Sequence, residues 1–118
     1  MQFTKKEIEL AKRLKENRIK WHSEEGDWYF GEDGEVLLWA YNVIRTRDTW
    51  LPLLHQCREI LGKAGYYFLL LSKGDNIQLD LWQKDTGNYI CFFRGESDLE
   101  AIYQALLEVI TNETINNE

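Results

Sequence analysis

Residues 65–110 read "GYYFLLLSKGDNIQLDLWQKDTGNYICFFRGESDLEAIYQALLEVI", and the parsing of this stretch decides the fold. Runs of aromatic and aliphatic residues are broken twice, by "KGDN" at 73–76 and "KDTGN" at 84–88, both rich in turn formers. The pattern predicts three strands, near 66–72, 77–83 and 89–94, joined as a meander. Because side chains alternate along a strand, Ile77, Leu79 and Leu81 point one way and Gln78, Asp80 and Trp82 the other. One face of the middle strand is core and the other is mixed. The outer strands, "YYFLLL" and "YICFF", are apolar on both faces, which calls for cover on both sides, by the protein itself or by a partner subunit. Ser97-Asp98-Leu99-Glu100 is a capping box, after which Leu99, Ile102, Tyr103, Leu106, Leu107 and Ile110 recur at helical spacing. Residues 112–118 are polar and predict a frayed tail.

Upstream, Thr4 and Glu7 form a second capping box, with Phe3 placed to staple onto Ile8, so a helix is predicted over about 4–20. Ile8, Ala11 and Leu14 share its apolar face, with Leu10 at the edge. Glu9/Arg13 and Glu16/Lys20 lie at ion-pair spacing on the other side. Two strand-like runs follow, Asp27 to Phe30 and Glu35 to about Ile44, joined by Gly31-Glu32-Asp33-Gly34. "TWLPLLHQCREILGKAG" at 49–65 then predicts a second helix with Pro52 in its first turn and Gly62 or Gly65 ending it. The expected order is α-ββ-α-βββ-α over residues 1–111. This is an α+β fold of one domain, an antiparallel sheet of hairpin plus meander packed with three helices.

A chain of 118 residues with 44% hydrophobic content can bury a core without metals or disulfides. Its charged N-terminal stretch lacks the apolar run and cleavage site of a secretory signal, and its apolar runs fall far short of the roughly 20 residues of a membrane-spanning helix. The expected setting is the cytoplasm, with no membrane partner and with Cys57 and Cys91 reduced, both as core hydrophobes.

The net charge of −6 is unevenly spread. Residues 1–21 hold seven bases and three acids, whereas residues 22–44 hold six acids and no Lys or Arg. Residues 97–118 add five acids and no base. Such acidic segments repel a phosphate backbone, which argues against direct nucleic-acid binding and suits a basic partner surface. The basic first helix is the one place that could oppose this, and its interleaved Glu9 and Glu16 read better as a salt-bridged, solvated face. No metal or other cofactor is expected. His55 and Cys57 lie two apart on a helix, on opposite sides of its axis, and His22 is in another segment. The acids Glu24, Glu25, Asp27, Glu32, Asp33 and Glu35 lack the spacing of a calcium loop and read as a solvated turn. The same geometry denies Cys57 a neighbouring base, so no catalytic residue is assigned. The candidate binding residues are aromatic and polar: Gln78, Asp80 and Trp82 on the meander, and Trp28 and Tyr29 beside the acidic hairpin, with Trp21 nearby.

Three segments, "IKWHSEEGDWYF" at 19–30, "TWLPLLHQCREIL" at 49–61 and "LDLWQKDTGNYICFFRGESDLEAIYQALLEVI" at 79–110, together resemble small, mostly uncharacterised proteins encoded in bacteriophages and prophages. The last of them is similar to the phage α-β-α (ABA) sandwich domain. The resemblance implies an accessory protein in the cytoplasm of a bacterial host and carries no catalytic residues with it. The expected function is non-enzymatic binding of a macromolecule, a protein partner that includes the case of a homodimer. Capture of a small planar ligand on the aromatic sheet face is the alternative. A hydrolase or nuclease comes third, for want of a metal set or nucleophile.

Overall fold

The computed structural model describes residues 2–19, 26–31, 33–38 and 48–116. Among them are three helices, α1 (Lys5–Glu16), α2 (Leu54–Lys63) and α3 (Asp98–Asn116). Six strands are β1 (Trp28–Phe30), β2 (Val36–Leu38), β3 (Thr49–Trp50), β4 (Tyr66–Lys73), β5 (Asn76–Gln83) and β6 (Tyr89–Gly95). The α+β class and the order α-ββ-α-βββ-α hold, with β3 as an addition. The strands form two antiparallel sheets, β2-β1-β3 and β4-β5-β6, so the hairpin does not join the meander. It pairs instead with β3, where Tyr29 lies opposite Trp50 and Phe30 opposite Thr49.

β3 consists of two residues that the sequence assigns to the second helix. Pro52 explains the difference: the residue before a proline avoids the α region, so the chain stays extended until the N-cap at Leu53. With no side-chain oxygen of its own there, the cap depends on Gln56, whose Oε1 accepts from the Leu53 amide at 2.8 Å. Gln56 Nε2 donates to Asp27 Oδ1 at 2.6 Å in the interior, tying α2 to the start of β1. Asp27 is therefore a buried structural carboxylate rather than part of a solvated acidic turn. At the far end the helix stops at Gly65 (φ 95°), not at Gly62, which lies inside it.

α1 is capped as the sequence predicts, with Glu7 N donating to Thr4 Oγ1 and Thr4 N donating to Glu7 Oε1. It ends at Glu16 rather than near residue 20. Arg18 adopts a left-handed conformation (φ 62°), its amide donates to Lys15 O, and the Ile19 amide reaches back to Leu14 O at 3.1 Å. This is a Schellman stop with arginine where glycine is usual. Since a side chain costs about 1–2 kcal/mol in that conformation, Arg18→Gly should stabilise the protein by roughly 1 kcal/mol, read as a higher urea midpoint. A lower midpoint would refute the assignment of strain to this turn. The second ion pair expected on this helix, Glu16/Lys20, ends at Lys20, which lies outside the described residues, as do Trp21, His22, Glu24, Glu25, Glu32 and the predicted strand beyond Leu38.

α2 and α3 pack on one face of the meander, α2 against β4 and α3 against β5 and β6. α1 packs on α3 and β3. Ala11 and Leu14 from α1, Cys57 and Leu61 from α2, Leu79 and Leu81 from β5, and Ala101, Ile102, Ala105 and Leu106 from α3 form the dry centre. Tyr103 is wholly buried among them, and its hydroxyl donates to Pro52 O at 2.5 Å. At the β6–α3 junction Gly95 is buried, and a Cβ there would stand 2.9 Å from Glu100 Cβ and 3.0 Å from Ala101 N. Glycine lets the first turn of α3 fold back onto the strand end. The two amino-terminal helix caps meet: Ser97 Oγ, which accepts from Glu100 N, donates to Glu7 Oε2 at 2.5 Å. α3 continues to Asn116, so residues 112–116, expected as tail, are helical. Neither proline nor glycine interrupts that run.

Candidate functional site

The outer face of the meander, turned away from α2 and α3, is built by alternation along the strands. The two-residue turn at Gly74-Asp75 pairs Lys73 with Asn76, which fixes Leu71 opposite Gln78, Leu69 opposite Asp80 and Tyr67 opposite Trp82. On the other side Gln78 lies opposite Arg94 and Asp80 opposite Phe92. The pairing slips between Leu81 and Trp82, so that Trp82 faces Tyr89 and Ile90 becomes an extra residue in a bulge. Both Tyr89 and Ile90 are exposed.

Three rows result. Tyr67, Trp82 and Tyr89 form an aromatic row: Tyr67 stacks on Trp82 at 5.5 Å with 6° between the rings, and Tyr89 meets Trp82 edge-on at 5.5 Å. Leu69, Asp80 and Phe92 form the middle row, and Leu71, Gln78 and Arg94 the third. Leu69 is 54% exposed, Phe92 49% and Tyr67 42%. Among the described residues eight large hydrophobics are exposed, and six of them, Tyr67, Leu69, Leu71, Tyr89, Ile90 and Phe92, belong to β4 and β6 of this sheet. The polar groups between them are linked to one another. Gln78 Nε2 donates to Asp80 Oδ1 at 2.9 Å, Arg94 Nε donates to Gln78 Oε1 at 3.2 Å, and the guanidinium lies 5.0 Å over the Phe92 ring. Partial desolvation, and after it the Asp80 carboxylate, raises the Tyr89 phenol, which stays protonated.

Gln78, Asp80 and Trp82 thus share one face as the sequence predicts, and Trp82 lies on the side opposite the buried Leu79 and Leu81. No helix covers it among the described residues. Trp28 and Tyr29 are elsewhere. Tyr29 is buried in the small sheet, and Trp28, half-buried, packs against Phe3 at 6.1 Å between ring centres. Neither contributes to the exposed face, because β1 belongs to the separate small sheet, where Lys12 of α1 lies over Phe30. The neighbours that sequence reasoning left unnamed, Tyr67, Leu69, Phe92 and Arg94, follow from the register, and on the β4 side the two-residue turn alone is enough to find them.

Among the described residues the chemistry-bearing side chains are dispersed. Cys57 is buried and burial pushes its thiol well up, while Cys91, half-buried on the helix side of β6, is raised by desolvation and then by Glu108. Among the described residues no three His, Cys, Asp or Glu side chains come together to hold a metal ion. His55 is exposed at the rim of a shallow depression of 440 Å³, lined also by Glu7, Leu54 and Asp98, where both Glu7 oxygens are taken up by the helix caps. No helix among the described residues is long and apolar enough to cross a membrane. No family model matches the chain, and no match is found among the curated proteins or the solved structures.

Proposed function

We propose that this protein is a non-enzymatic protein-binding module that works through the outer face of its meander. The observation that carries the reading is that, of the eight large hydrophobics exposed among the described residues, six gather on that one surface. Half of each such side chain, at about 150–250 Å² apiece, gives an apolar patch on the order of 500 Å², at the upper end of what monomers expose without a partner. Aromatic residues and an arginine on one face, with hydrogen-bonded polar groups among them, fit the composition of a protein interface. Capture of a planar ligand fits less well. A ring inserted between two aromatic planes needs about 7 Å, twice van der Waals contact, and Tyr67 already closes on Trp82 at 5.5 Å. The accessory role in a phage or prophage, in the host cytoplasm, rests on the resemblance of the three quoted segments.

Photo-crosslinking tests the reading by position. A benzophenone side chain in place of Leu69 or Phe92 is expected to give one discrete adduct in cells producing the protein, and none in place of Glu59 on the exposed side of α2. Folded variants that give no adduct from positions 69 and 92, or the same adduct from all three, would sink the proposal.

A further inference from the structure

Resting on the reading of this face as the binding surface, we infer that its occupant is a second copy of the chain, packed sheet to sheet across a two-fold axis. Area is the first argument. A stable interface takes about 800 Å² from each partner, and the apolar patch on the order of 500 Å² approaches this once Trp82, Gln78, Asp80 and Arg94 are added. The molecule is only 21 Å through its shortest axis, two layers deep. A second copy turns an open two-layer structure into a closed α/β/β/α stack.

Charge is the second argument, and it selects the partner. The chain carries −6, yet this face holds one acid, Asp80, in its middle row and one base, Arg94, in the row beside it, with Lys73 at the end of β4. A surface of either single sign would leave one of the central charges opposed. A copy of the same face does not. A two-fold axis crossing β5 at right angles between Gln78 and Asp80, near the middle of the strand, lays the full length of one sheet on the other. Asp80 then stands over the partner's Gln78, and Leu69 over the partner's Leu71. Arg94 comes within one strand spacing, about 4.8 Å along the sheet, of the partner's Asp80, and the reciprocal pair forms at once, as an isologous contact requires. Within each copy Gln78 already hydrogen-bonds both Asp80 and Arg94, and the reciprocal contacts across the axis give each charge its opposite.

Charge reversal on the purified full chain tests this by sedimentation equilibrium. The wild-type chain is expected to be a dimer. Asp80→Arg leaves two bases facing two bases and Arg94→Asp leaves acids facing acids, so each variant alone should associate at least tenfold more weakly. An equimolar mixture of the two restores both reciprocal pairs and should recover a heterodimer, and the double variant carrying both changes should recover a homodimer. Should a reversed chain fail to fold, Asp80→Asn, which keeps the shape and the hydrogen bond from Gln78, is expected to weaken association about tenfold by itself. A wild-type chain that stays monomeric at every concentration, single variants that dimerise undiminished, or a mixture that shows no recovery would each overturn the inference. If the wild-type is monomeric while positions 69 and 92 still crosslink to a different protein, the face remains a binding surface and only its occupant has been misassigned. Without either result, both proposals fall.

Discussion

Tyr103→Ala is expected to cost about 3–5 kcal/mol of folding stability, the range for removing a buried aromatic ring. The ring is fully buried where α3 meets α2 and the end of β3, and truncation leaves a cavity that the surrounding helices cannot close without moving together. Its hydroxyl adds a separate share: Pro52 O is a buried carbonyl whose donor is the Tyr103 phenol. Tyr103→Phe keeps the volume and removes the donor, so it should cost about 1–3 kcal/mol. Urea unfolding of the three proteins, at one concentration so that association is held constant, separates the two parts. A typical domain has only about 5–15 kcal/mol to lose, so the alanine variant would stand near the edge of folding. A loss below about 1 kcal/mol for Tyr103→Ala would mean that the junction is not built around this ring.

Phe92→Ala should do the opposite, weakening association roughly 30-fold or more while leaving the monomer almost as stable. Phe92 stands in the middle row of the open face, half exposed, so its removal opens no cavity in the core. In the proposed dimer it would be a central aromatic anchor, the type of residue whose truncation costs about 2 kcal/mol or more of binding. Trp82→Ala is the instructive contrast. Trp82 is packed between Tyr67 and Tyr89 on its own sheet, and aromatic pairs are worth about 0.5–1.5 kcal/mol each. Its loss therefore registers partly in the fold, well short of the 3–5 kcal/mol of a core tryptophan. Sedimentation and unfolding measured on the same samples decide the matter. A Phe92→Ala chain that unfolds several molar units of urea earlier yet associates as before would show the face to be core.

The meander and α3 were readable from sequence because every local signal agreed there: turn formers at both reversals, β-rich runs between them, and a serine cap before a helical stripe. The places that escaped reading share one cause, a local signal overruled by a contact distant in sequence. Thr49 and Trp50 became a strand because β1 was available to pair with them. α1 stops early on an arginine in the conformation that glycine would announce. Asp27, acidic and beside a turn, reads as solvated until Gln56 is brought to it from 29 residues away. The candidate site divides in the same way. Gln78, Asp80 and Trp82 were visible from alternation within one strand, whereas Phe92 and Arg94 needed the register across a bulge, for which the five-residue "KDTGN" connection gives no arithmetic. Trp28 and Tyr29, read as a candidate beside the acidic hairpin, lie in the small sheet with Tyr29 buried and Trp28 against Phe3, because aromatic content alone does not tell a sheet's covered face from its bare one.

The shared carboxylate of Glu7 has a consequence for synthesis. Its hydrogen bond to Ser97 spans 90 residues of sequence, and a ribosome adding about 5–20 residues per second takes roughly 5–20 s to supply the second partner after the first. During that interval Ala11 and Leu14 face no α3, since the helix they pack on has yet to emerge. The nascent amino-terminal helix, a 12-residue segment marginal in water by itself, must therefore wait with its α3-facing side bare, β3 being the partner that emerges first. Its Thr4–Glu7 box can hold the first turn in the meantime, and docking becomes a late event in which one serine hydroxyl completes both helix starts.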